Sequence, residues 1–165
     1  MKGEHIYAAR LIWDGNTGAG TTDYASYGRQ YRGLIEGKPD LPGSADPIFR
    51  GEAARHNPED LFLISISSCH LLTYLALCAR KGVRVLSYQD DAVGRMVFTP
   101  DGGGRFEEIT LRPDVVVADA GSVAEAIRLH ESAHELCFIA RSCSVPIRHE
   151  ATVRAEGSPS STRAS

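Results

Sequence analysis

Asn57-Pro58-Glu59-Asp60-Leu61-Phe62-Leu63-Ile64-Ser65-Ile66-Ser67-Ser68-Cys69-His70, continuing to Gly82, is the stretch on which the fold turns. Asn57 offers a side-chain oxygen to free N–H groups, Pro58 suits a first helical turn, and Glu59 and Asp60 complement the positive helix end. The pattern predicts a helix running to about Lys81, where Gly82 can stop it. Between Leu61 and Ala79 there is no formal charge, and the run approaches bilayer-spanning length. Ser65, Ser67, Ser68, His70 and Thr73 interrupt it, and it lacks flanking aromatic anchors. It is therefore expected in the middle of a soluble core, with no membrane partner.

On the N-terminal side, residues 4–14 read as a strand and Gly15-Asn16-Thr17-Gly18-Ala19-Gly20 as a turn. Residues 21–36, with Tyr24, Tyr27 and Tyr31, suggest one or two more strands. Residues 37–56 hold Pro39, Pro42, Gly43, Pro47 and Gly51 and read as a long loop. On the C-terminal side, residues 84–99 and 105–118 form strands joined through Pro100-Asp101-Gly102-Gly103-Gly104, a hairpin signal. Ser122 and Glu125 have the spacing of a capping box for a second helix, expected to end near Ser142. Residues 146–155 alternate as a last strand, and the Ser-rich segment 156–165 is expected to be disordered. Strands grouped around two helices make this an α+β fold, one domain over residues 1–155.

The chain has 165 residues and a formal net charge of -3, with no Lys/Arg run, so nucleic acid is not an expected partner. Met1-Lys2-Gly3-Glu4-His5 does not resemble a secretory signal, and a cytoplasmic location is expected. In that compartment Cys69, Cys78, Cys137 and Cys143 are not a structural disulfide framework.

A single buried cysteine is ordinarily a small apolar filler. Cys69 and Cys137 fall on two helices expected to pack, and they can bond if their Cα atoms lie about 4.4–6.8 Å apart. Cys69 is mid-helix, out of reach of the positive helix end, so it needs a cationic neighbour to become a thiolate. Arg50 and Arg55, in the loop before the helix, are the candidates. His70 points about 100° away from Cys69 and is expected to be a hydrogen-bonded core residue. Glu59 stabilises the first turn, or orients an arginine against the thiolate. Ten helical residues, about 15 Å of rise, separate it from Cys69. If both serve one site, Glu59 comes from a second copy, as a two-fold dimer allows.

The chain resembles the OsmC/Ohr family of peroxidases through several motifs. They are Trp13-Asp14-Gly15-Asn16, Gly43-Ser44-Ala45-Asp46-Pro47, Phe49-Arg50-Gly51, Asn57-Pro58-Glu59-Asp60-Leu61, Ser68-Cys69-His70 and His134-Glu135-Leu136-Cys137. The likeness extends to about residue 155. It implies an OsmC-like fold, two long central helices wrapped by antiparallel sheets, in an intertwined homodimer. It implies that Cys69 attacks a hydroperoxide, organic hydroperoxides above all and hydrogen peroxide as a further substrate, and becomes a sulfenic acid. Cys137 then closes a Cys69–Cys137 disulfide, which a dithiol donor such as a lipoylated protein reduces. Arg50 and Glu59 are the further catalytic residues so implied, and no metal or organic cofactor is.

Two features depart from the pattern. The Ohr branch carries its arginine in the first hairpin turn, which here has none. Arg50 matches the OsmC-type position best, with Arg29 and Arg55 as the other candidates. Phe138 also follows Cys137 where the family often has proline, which is expected to shift the helix break. Cys143 competes with Cys137 as the resolving thiol, and Cys78, two turns past Cys69, reads as core. The rival readings are a hydrophobic-ligand-binding module on the same fold and a zinc protein using Cys69, His70, His134 and Cys137. His130 and His134 also share a helix face. Adjacent Cys69 and His70 on one helix argue against zinc, whose ligands are usually spaced two or more residues apart.

Overall fold

The computed structural model describes residues 3–158, so residues 159–165 of the expected disordered tail lie outside the described residues. The chain divides into two compact units, residues 1–62 and 63–165, and each is described by itself. The secondary structure is mixed α+β, as expected.

The N-terminal unit holds a three-stranded antiparallel sheet of β1 (Arg10–Trp13), β2 (Tyr31–Leu34) and β3 (Leu41–Gly43). The strand expected over 4–14 is thus only four residues long. Its partner β2 spans Tyr31 to Leu34 and runs into a turn closed by Lys38 N–H to the Ile35 carbonyl, so the ladder has nothing further to pair with. The strand expected earlier in 21–36 is a set of turns. Asp23 accepts from Ala25 N–H at 2.7 Å and Ser26 Oγ from Asp23 N–H at 3.2 Å. Short polar side chains that bind nearby backbone in this way compete with a ladder. The loop expected over 37–56 contains β3 and a 3-10 turn, Pro47–Phe49, capped by Asp46 through Ile48 N–H.

Helix α1 (Pro58–Arg80) begins and ends as expected. Asp60 N–H donates to Asn57 Oδ1 at 2.8 Å, and Asn57 N–H to Asp60 Oδ2 at 3.3 Å, a reciprocal cap. At the other end Gly82 has φ +72. Gly82 N–H reaches the Ala79 carbonyl and Val83 N–H the Cys78 carbonyl at 2.9 Å, the paired bonds of a Schellman stop.

The C-terminal unit breaks the two long strands expected over 84–99 and 105–118 into four. They are β4 (Val85–Asp90), β5 (Val93–Phe98), β6 (Gly104–Leu111) and β7 (Pro113–Val117). The β5–β6 hairpin turns where expected. The bend has a local cause. Asp90 Oδ1 takes the Arg112 N–H at 2.6 Å, removing it from the ladder, and Pro113 has no N–H to offer. The outcome is two three-stranded sheets, β4-β7-β9 and β5-β6-β8. The expected last strand follows the same bend, as β8 (Ile147–His149) parallel to β6 and β9 (Thr152–Ala155) parallel to β7.

Helix α2 (Val123–Leu136) departs from expectation at both ends. Ser122 makes no side-chain cap bond. It closes a 3-10 turn, Ala120–Ser122, with φ -86 and ψ -13. A capping side chain needs an extended backbone there, and Glu125 pairs with Arg128 instead. The helix stops at Leu136 rather than near Ser142, because Cys137 is extended (φ -67, ψ 114), and α3 (Phe138–Arg141) restarts beyond it. The break therefore stands at the cysteine with no proline present. Tyr74, Cys78, Val83, Val115, Val117, Ala126, Leu129 and Ala133 form the core of this unit, and Cys78 is core as expected.

Gly82→Ala places a side chain on a left-handed backbone, which should lower stability by about 1–2 kcal/mol in chemical denaturation with the fold unchanged.

Candidate thiol site

Ile66, His70, Tyr74 and Cys78 recur every four residues and form the buried face of α1. Cys69 lies just off that face and is half-buried; Cys137, between α2 and α3, is buried. The fold sets these two thiols, both free, near enough for the Cys69 side chain to act on the ionisation of Cys137. Cys137 Sγ also accepts the Ala140 N–H at 3.5 Å, capping α3. Burial, more than any other influence, pushes the Cys137 thiol up to about 11, and the neighbouring Cys69 side chain pushes the same way; the Ala140 N–H only partly offsets this. At neutral pH Cys137 is a protonated thiol turned toward a more accessible one. Cys143 is occupied elsewhere, its Sγ against the carbonyls of Ile139 (3.2 Å) and Ala140 (3.4 Å).

Arg50 and Glu59 belong to the N-terminal unit. Arg50 follows the 3-10 turn with φ +67, the one non-glycine residue in left-handed conformation among the described residues. The three candidate arginines differ in their neighbours. Arg29 stacks on Tyr24 and Tyr27 at 4.4 and 4.0 Å and donates to the carbonyls of both. Arg55 binds Glu52 at 2.5 Å. The exposed Arg50 guanidinium has no partner among the described residues. Glu59 Oε2 is buried without a hydrogen bond among the described residues, and burial first, Glu59 second, raises the Tyr31 phenol.

The four zinc candidates do not form a ligand set: among the described residues no group of three or more His, Cys, Asp or Glu is arranged to hold a metal ion. Cys69 meets Cys137, and His70 meets His130, Nε2 to Nδ1 at 3.0 Å. His70 is thus a hydrogen-bonded core residue, as expected. Its partner was visible in the sequence only as half of the His130/His134 spacing, and His149 joins the cluster from β8, which no local pattern reveals.

Three comparisons bear on the chain. The sequence profile of the OsmC-like protein family matches residues 51–151. Among curated proteins, the uncharacterized protein YmaD of Bacillus subtilis is 29% identical over 106 residues, covering 61% of this chain and 70% of that protein. Among solved structures, an OsmC-like protein of unknown function from Vibrio cholerae superposes with a TM-score of 0.81 at 28% identity, covering 90% of this chain and all of that one. An organic hydroperoxide resistance protein of Elizabethkingia anophelis shares the fold with a TM-score of 0.67 at 16% identity, over 94% of this chain and all of that one.

Burial, ahead of the neighbouring imidazoles, holds His70 down to about 4 and His130 down to about 3. The unfolded chain binds protons at these residues from pH ~6.5 downward, whereas the folded chain does not until far lower. Stability should therefore be full above that value and fall as the pH drops toward 4. The slope is up to about 1.4 kcal/mol per pH unit for each ring. Denaturant titrations at stepped pH should show it, and His130→Gln should halve the share due to the pair.

Proposed function

The chain belongs to the OsmC-like family, and on that premise we propose that it is a thiol peroxidase reducing organic hydroperoxides, with Cys69 as the attacking thiol. The nearness of Cys69 to Cys137 carries this reading. The Cys69 thiolate attacks the peroxide O–O bond. A sulfenic acid forms on Cys69, and the departing alkoxide takes up a proton to leave as the alcohol. The Cys137 sulfur then bonds to Cys69 as the S–O bond breaks, and the proton that Cys137 kept leaves with the hydroxide as water. A dithiol donor returns two electrons and two protons through thiol–disulfide exchange. Cys137 attacks as the thiolate, and the proton it gives up is the one the leaving hydroxide takes.

Arg50 is the cation assigned to the Cys69 thiolate, since the other two arginines are engaged by their own neighbours. Glu59 is assigned to orient it from a second copy of the chain. Two observations support a homodimer. Glu59 Oε2 is buried yet has no hydrogen bond among the described residues of one copy. Helix α1 also leaves Ile64 52% and Leu72 66% exposed in a stretch apolar enough by composition to cross a membrane. Ser67 on that helix bonds Asp90 at 2.5 Å, and His70 bonds His130. A helix tied to its own chain by such polar groups is better covered by protein than by lipid.

A cavity of about 350 Å³ lies beside α1, walled by Leu63, Ile64, Leu71, Tyr88 and Ala92 with Ser67 and Asp90 at its polar edge. It is the observation that favours the alternative of an apolar-ligand-binding module on the same fold.

In a dithiol-fed assay with cumene hydroperoxide, Cys69→Ser should abolish turnover, and Cys137→Ser should leave a single stoichiometric oxidation of Cys69 seen by mass spectrometry. Absence of Cys69-dependent turnover would reject the enzymatic reading in favour of the binding module. Arg50→Ala should slow Cys69 oxidation by roughly tenfold or more, the effect of losing a charge-assisted contact in the reacting state. Sedimentation should give a dimer for the native chain and a monomer for Leu72→Glu.

A further inference from the structure

Four imidazoles gather between α1, α2 and β8: His70 from α1, His130 and His134 from α2, and His149 from β8. The His70 and His130 rings are within 6° of parallel with centroids 5.4 Å apart, and His70 Nε2 lies 3.0 Å from His130 Nδ1. Parallel rings that meet through ring nitrogens at that distance share an edge-to-edge N–H···N bond rather than a face-to-face stack. Tyr74 covers the face of His130, centroid to centroid 3.9 Å. His70 is 1% exposed and His130 not at all. Their outward nitrogens, His70 Nδ1 and His130 Nε2, have no partner among the described residues.

Two leucines would fill this place and tolerate sliding or rotation. An imidazole bridge does not, because donor and acceptor must keep both distance and direction. The site also favours neutral rings, because a charge there is buried and only the outward nitrogens can take it up. A further proton would put N–H groups on both outward nitrogens, where there is no acceptor. The ionisable groups facing the pair are Tyr74 on α1, with Tyr88 of β4 behind it, His134 on α2 and His149 on β8. The carboxylate in the cluster, Glu131, is bound to His149 at 3.2 Å and is largely in solvent. A cation on the pair therefore has no counter-charge.

The same two helices meet at the thiols. Cys69 directly precedes His70, and Cys137 ends α2 about 10 Å of helical rise beyond His130. A cysteine side chain has a single rotatable bond, so the approach of two thiols survives little relative movement of their helices. We propose that His70 and His130 are positioning residues for the thiol pair: their neutral bridge fixes the rotation and spacing of α1 on α2 at which Cys69 meets Cys137, and protonation of the bridge releases it. The role rests on the thiol-pair reading above, but its test uses no peroxide.

The reduced full chain is equilibrated in a glutathione redox buffer at neutral pH, and the Cys69–Cys137 disulfide is quantified by peptide mass spectrometry. His130→Leu should shift the equilibrium toward the dithiol roughly tenfold, as expected for loss of a coupling contact. His130→Gln, whose amide keeps a hydrogen bond to His70, should stay within about threefold of the native chain. An unchanged equilibrium in His130→Leu overturns the proposal. If that variant does not fold, the native chain decides. Its imidazole 15N and cysteine 13Cβ resonances should move in one transition as the rings take up protons near pH 4; ring protonation that leaves the cysteine resonances in place overturns the proposal. Failure of the native chain to form the Cys69–Cys137 disulfide at all counts against the proposed reaction instead, and the titration still decides the positioning role.

Discussion

Helix α1 must be covered. Nineteen residues from Leu61 to Ala79 carry no formal charge, and most of the later structure follows from hiding them. The four-residue recurrence of Ile66, His70, Tyr74 and Cys78 gives one face to the core, where β7 and α2 supply Val115, Val117, Ala126, Leu129 and Ala133. Away from that face, Ile64 and Leu72 stay more than half exposed in a single copy. Burying each such side chain is worth about 1.5–3 kcal/mol, which is the driving force for the proposed dimer.

The polar groups placed within that apolar setting carry the chemistry. Burial acts on all of them in one direction, against charge. It keeps Cys137 a thiol and His70 and His130 neutral. A neutral imidazole pair can hold two helices in register where an ion pair would be expensive to desolvate. A neutral buried thiol beside a more accessible one gives two sulfurs with different work to do. The site is thus differentiated by depth more than by any special neighbour.

Several elements end where a side chain takes a backbone N–H, and these ends set where the site lies. Asp90 captures the Arg112 amide and splits the long hairpin into two sheets. Cys137 captures the Ala140 amide and breaks the second helix. Asp23 and Ser26 turn a strand-like tyrosine segment into turns. Each is a competition between a local side-chain bond and a regular ladder. Composition alone cannot decide such a contest, because the winner depends on what the rest of the chain offers the same amide.

The sequence by itself determined the features that rest on near neighbours: the Asn57–Asp60 cap, the Gly82 stop, the hairpin at Pro100–Gly104, the α+β class and the burial of Cys78 and His70. These depend on backbone conformations and spacings that a few adjacent residues impose. The family motifs extended that reach to Cys69 and Cys137. Only the tertiary structure decided that the two thiols are neighbours, that His70 finds His130 sixty positions away, that His149 arrives from a strand to join them, and that Arg29 and Arg55 are engaged while Arg50 has no partner among the described residues. Those outcomes depend on how helices and sheets pack, and packing brings together side chains whose separation in the chain carries no trace of their contact.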